Sequence, residues 1–183
     1  MKNENTFLKA AMTHGAIMGL VLILLSVVNY VLGFEVAKKL GWLSYVVIVL
    51  GVYFGQKAYR DKELDGLISY STSLGYGLLI AVFAGFITGL FTFILYQYID
   101  PDLMAKQLDA AIQMYVDMGY SDEQIEEIVS MSEKFKSPVV TALSTTFGFA
   151  IMGLIVSLIT SIFIKKEGDG FDAAMQEIEE DKE

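Results

Sequence analysis

Long apolar runs, interrupted by short charged ones, set the rhythm of this chain. Four runs approach the length of about 20 apolar residues needed to cross a hydrocarbon core about 30 Å thick. They extend from about Ala11 to Gly33, Gly41 to Gln56, Leu67 to Tyr98 and Val139 to Ile164. The runs are continuously apolar instead of alternating, which predicts helices and not a barrel. In the shortest run, the second, Trp42 and Tyr45 would anchor one end, and Tyr53, Phe54 and Tyr59 the other. The run after Lys2 and Lys9 has the charge pattern of a signal peptide, but no small-x-small cleavage site follows it. It therefore reads as a retained first span.

Between the third and fourth runs, residues 100–137 follow a different pattern. Met104, Leu108, Ala111, Ile112, Tyr115 and Met118 recur at helical spacing, and Ile125, Ile128, Val129, Ser132 and Phe135 form a second stripe. Asp100-Pro101 supplies an expected N-cap and first-turn proline, Gly119 an expected helix end. Ser121 and Gln124 have capping-box spacing, and Ser137-Pro138 opens the fourth run with another expected cap. The fold expectation is all-α: one membrane domain, 1–166, built as a four-helix bundle with an amphipathic, acidic, extramembrane helical hairpin between spans three and four. The acidic tail, 167–183, holds a weak amphipathic stripe and is expected to be flexible.

Charge refines this picture. The chain of 183 residues has a formal net charge of −9, concentrated between and beyond the apolar runs. Lysine and arginine favour the N-terminus, the "KAYRDKELDG" loop and Lys165-Lys166, which predicts that both termini are cytoplasmic and the hairpin lies outside. With no cysteine and one histidine, thiolate and multi-histidine metal sites are excluded, and no cofactor is expected. No basic patch exists to neutralise phosphates along a nucleic acid. The expected partners are the lipid bilayer and a second copy of the chain or another envelope protein.

Three sets of residues are candidates for function. Gly15, Gly19, Gly51, Gly55, Gly85, Gly89 and Gly153 form small-residue stripes that let helices approach closely, within one bundle in the favoured reading or across a dimer seam. His14, Asn29, Ser69, Thr72 and Ser73 would line any polar cavity. Tyr115, Ile125, Ile128 and Val129 would offer a partner surface on the hairpin. No nucleophile–base pair or paired carboxylates can be placed in a membrane-facing cleft, so no catalytic residue is assigned.

The segments "FLKAAMTHGAIMGLVL" and "GQKAYRDKELDGLISYSTSLGYGLLIAVFAGFITGLFTFILYQYIDPD", followed by a final span rich in small residues, resemble a known family. These are the small multipass proteins of Bacteroidetes-type bacteria called domain of unknown function 4199. The resemblance implies an integral membrane protein with an extramembrane insertion before its last span, and it implies no activity. The leading expectation is thus a non-enzymatic structural or interaction protein that displays its hairpin. The alternative is a small oligomeric transporter or channel subunit.

Overall fold

A computed structural model describes residues 4–134 and 137–166. The expectation for the tail after Lys166 therefore lies outside the described residues. Seven α-helices follow one another: α1 (Glu4–Leu32), α2 (Phe34–Leu40), α3 (Trp42–Glu63), α4 (Tyr70–Ile94), α5 (Leu103–Asp117), α6 (Asp122–Lys134) and α7 (Pro138–Ile164). The α4 helix ends in a wider π-helical turn, Leu95–Ile99. Apart from one isolated bridge between Ile68 and Lys166, no extended pairing is seen among the described residues.

Four long helices form the bundle, with α4 its most buried member. Phe7 meets Tyr76, Gly15 approaches Ile80 and Phe83, and Tyr30 reaches Asp100, so α1 and α4 run parallel. Tyr59 stacks on Tyr76 while Gly51 faces Met18, so α3 runs against both. Gly85 faces Phe149 and Gly89 faces Ala142, so α7 also runs against α4. One end of the bundle therefore gathers the start of α1, the end of α3, the start of α4 and the end of α7. The other end carries α2 and the hairpin.

Three helices are long and apolar enough to cross a membrane: Asn5–Leu32, Tyr70–Ile99 and Pro138–Ile164. They mark the chain as a membrane protein. The expected second span does not meet that standard. Its helix has 22 residues but ends in Lys57, Arg60, Asp61, Lys62 and Glu63, because the chain stays helical through most of the expected "KAYRDKELDG" loop. The true connection is Leu64–Ser69, turned by positive φ at Asp65 and Gly66. The first helix also starts earlier than expected and, at 29 residues, is about 44 Å long.

The hairpin closes by local chemistry. Gly119 has φ +82°, its N–H donates to Val116 O, and Tyr120 N–H donates to Tyr115 O. These two bonds and the left-handed glycine form a Schellman turn, with the Tyr115 and Tyr120 rings 5.2 Å apart beside it. Ser121 N–H donates to Gln124 Oε1 at 3.0 Å, and Gln124 N–H to Ser121 Oγ at 3.4 Å, a reciprocal capping box. Gly119→Ala is expected to destabilise this turn by about 1–2 kcal/mol, since a Cβ disfavours left-handed backbone. Faster amide exchange confined to α5 and α6 would show it.

Two expected caps differ. The helix after Asp100-Pro101 begins at Leu103, and Asp100 is drawn instead into contacts with Tyr30 and Lys106. Ser137 occupies the N-cap position with Pro138 at N1, but its side chain makes no capping bond; its carbonyl takes the Thr141 hydroxyl instead.

Candidate functional site

The seven stripe glycines all face neighbouring helices within one chain. A Cβ on Gly15 would lie 2.7 Å from Phe83 Cβ, one on Gly55 2.5 Å from Ile80 Cδ1, and one on Gly89 2.8 Å from Ala142 O. Gly19 and Gly153, which share the word "AIMGL", approach α4 at Ala84 and Ala81 respectively. Gly51 holds Met18, and Gly85 holds Phe149.

The five cavity candidates do not share a cavity. His14 Nδ1 lies 2.9 Å from Ala10 O and 2.8 Å from the Tyr76 hydroxyl, inside a cluster completed by Phe7 and Tyr59. With its proton on Nδ1 the ring donates to the carbonyl; without it, the ring accepts from the tyrosine. Ser69 caps α4, accepting from Thr72 N–H, with the Thr72 hydroxyl 2.9 Å away. Ser73 is fully buried beside α3, and Asn29 lies at the opposite end of the bundle.

Sequence reasoning passed over the main polar contact of the bundle. Gln56, with no exposed surface, extends from α3 to a point between α4 and α7. Its Nε2 donates toward Ser73 O at 2.9 Å, Ser157 Oγ at 2.9 Å and Ser161 Oγ at 3.0 Å. A backbone carbonyl only accepts, so the Ser73 contact fixes which end of the amide is nitrogen. Ser157 in turn donates to Leu74 O at 2.9 Å, and Gly77 leaves the room in which the amide and hydroxyl meet. The signal was present in the sequence: Ile48, Val52, Gly55, Gln56 and Tyr59 form one helical stripe, and every member is buried.

At the hairpin end, a cleft of about 570 Å³ opens between the end of α1, α2, the π turn and the start of α5. Asn29, Tyr30, Tyr96, Asp100, Lys106 and Gln107 supply its polar wall. Lys106 Nζ donates to both Asp100 oxygens, at 3.1 and 3.0 Å, the Tyr30 hydroxyl donates to Asp100 Oδ2 at 3.2 Å, and the Tyr96 hydroxyl donates to Gln107 Oε1 at 2.9 Å. The π turn positions Asp100 by closing its N–H onto Leu95 O at 2.8 Å. These bonds fasten α5 to α1 and α4.

The Lys106 hydrogen bond, reinforced by its charge and by Tyr30, holds the Asp100 carboxyl below the usual carboxylate range. Its contribution to the fastening is therefore complete above the usual range and is lost as pH falls through the depressed value. Amide protection in the first turn of α5 should drop on acidification below the usual carboxylate range, while α1 and α4 keep theirs. Asp100→Asn should lower that protection at neutral pH to the level the acidified protein reaches, and abolish its pH dependence.

A family model, that of a protein of unknown function (DUF4199), matches residues 13–166. The chain belongs to that family. The match takes in α3, α4, α7 and the hairpin, and α1 from residue 13 onward. No curated protein and no solved structure matches the chain.

Proposed function

We propose that this member of the DUF4199 family is a non-enzymatic, four-crossing inner-membrane protein that presents its hairpin outside as an interaction element. The four-crossing reading rests on helix direction. If parallel α1 and α4 both cross the bilayer, residues 33–69 must return between them, and α3 lies along that path. Its outward side chains suit lipid: Trp42, Tyr45, Val49, Leu50 and Phe54 are all exposed. Clustered lysine and arginine at the end that holds the start of α1 favour placing that end in the cytoplasm.

One observation carries the interaction reading. The hairpin is specified by a Schellman turn and a capping box, yet it packs chiefly on itself and α5 buries none of its side chains fully. Tyr115, Ile125, Ile128 and Val129 are half-buried there. An ordered amphipathic element that adds little to the core of its own protein fits recognition of a partner, a second copy or another envelope protein. In the membrane core the Gln56 amide nitrogen and the Tyr76 hydroxyl are bonded to neighbouring helices, which weighs against a transport path through them.

Replacing residues 103–134 by a short flexible linker tests this reading. The truncated protein is expected to melt near the wild-type temperature and to lose the wild-type oligomer or co-purifying partner, while photoreactive residues at Tyr115 and Ile128 of the full chain form specific cross-links in cells. Unchanged oligomer size together with no specific cross-link from either position in the full chain would overturn it.

A further inference from the structure

If α1 and α4 cross the bilayer, the cleft at the base of the hairpin falls at headgroup level. Its walls are the outer ends of two helices of 28 and 30 residues, each longer than the hydrocarbon requires. Tyr30, Tyr96 and Tyr98 mark that level as an interfacial aromatic belt. At about 570 Å³ the cleft has the size of a small-molecule site. Val31, Leu95 and Leu103 give it an apolar lining, and Asp100 and Lys106 give it charge.

That charge is balanced. Asp100 is 13% exposed and Lys106 61% exposed, so a largely covered anion lies beneath an accessible cation. A ligand with net negative charge would take Lys106 and strand Asp100; a net cation would do the reverse. A ligand carrying both charges replaces the pair without leaving either unpaired. Gln107 accepts from Tyr96 through Oε1, which leaves its amide nitrogen as a donor in the cleft that Lys106 also lines. The Tyr30 hydroxyl is already turned to Asp100 and holds that carboxylate in place.

We propose that this cleft binds an ammonium–phosphate zwitterion of the aminophospholipid class, with phosphate at Lys106 and Gln107 and a primary ammonium at Asp100. The inference needs only that α1 and α4 cross the membrane, so it stands or falls separately from the partner-binding role of the hairpin. A primary ammonium donates hydrogen bonds to Asp100, whereas a quaternary ammonium has none to give. The site therefore discriminates headgroups that share one net charge.

Native mass spectrometry of the detergent-purified full chain tests this, with phosphatidylethanolamine, phosphatidylcholine and phosphatidylglycerol of matched acyl chains and with free phosphoethanolamine. One phosphatidylethanolamine per chain is expected to bind about tenfold more tightly than either other lipid, the worth of a charge-assisted hydrogen bond. Asp100→Asn should erase the preference over phosphatidylcholine, and Lys106→Gln should weaken both lipids alike. Displacement of the lipid by equimolar phosphoethanolamine would support the same chemistry with a soluble source; failure to displace it supports the bilayer as source. Equal wild-type occupancy by all three lipids, or a preference that survives Asp100→Asn, would overturn the proposal.

Discussion

Gly153→Leu is expected to destabilise the bundle by about 3 kcal/mol, the upper range for overpacking a filled interior. Gly153 is buried against the Ala81 side chain, where α7 meets α4, and even one added carbon there collides with that methyl group. Ala81 has no exposed surface and the α4 backbone stands behind it, so neither side can give way without the helices parting. Parting them also pulls Ser157 away from Leu74 O and Gln56. Gly148, five positions earlier on the same helix, is the control: a Cβ there would meet nothing within 4 Å. Titrating purified protein with denaturing detergent and following helix content should show a much earlier transition for Gly153→Leu and a wild-type transition for Gly148→Leu.

The second large effect is expected from Gln56→Glu. This change keeps shape but replaces the amide donors with acceptors at a point already lined by Ser73 O and two serine oxygens. A carboxylate with no exposed surface and a carbonyl 2.9 Å away is strongly disfavoured, by about 3 kcal/mol or more. Protonation removes the charge and restores one donor. The penalty is thus largest at high pH and shrinks as pH falls, opposite in sign to the behaviour of the Asp100 fastening. Gln56→Met, also similar in shape but uncharged, should lose only about 1 kcal/mol, as expected for interhelical hydrogen bonds between membrane helices. Detergent unfolding at two pH values separates the three proteins; equal stability of Gln56→Glu and Gln56→Met at alkaline pH would contradict the assigned geometry.

What could be read from the sequence was whatever depended on near neighbours. Gly119 and the Ser121–Gln124 pair announced the hairpin turn because a Schellman turn and a capping box are closed within six residues. The apolar runs announced α1, α4 and α7 because length and composition suffice for that. Features set by distant contacts were not legible. Asp100 had the local chemistry of a cap, but Tyr30, seventy positions away, and Lys106 compete for its carboxylate. Lys57 to Glu63 looked like a loop because their charges outweigh apolar content, although they continue the helix that carries Gln56 and Tyr59 inward. The stripe glycines were visible as a pattern, but which helix each would meet depended on the parallel pairing of α1 with α4.

Single-cysteine labelling tests the central claim, that a four-crossing bundle holds the hairpin on the side opposite the N-terminus and the Leu64–Ser69 connection. The chain has no cysteine of its own, so each introduced thiol reports alone. Thr6→Cys, Lys62→Cys, Ser121→Cys and Ser130→Cys would be exposed in intact cells to a membrane-impermeant maleimide. The account predicts labelling at positions 121 and 130, and protection at 6 and 62 until the membrane is opened. Labelling at 62 with protection at 6 and 121 would mean that α3 does not cross, and would contradict it.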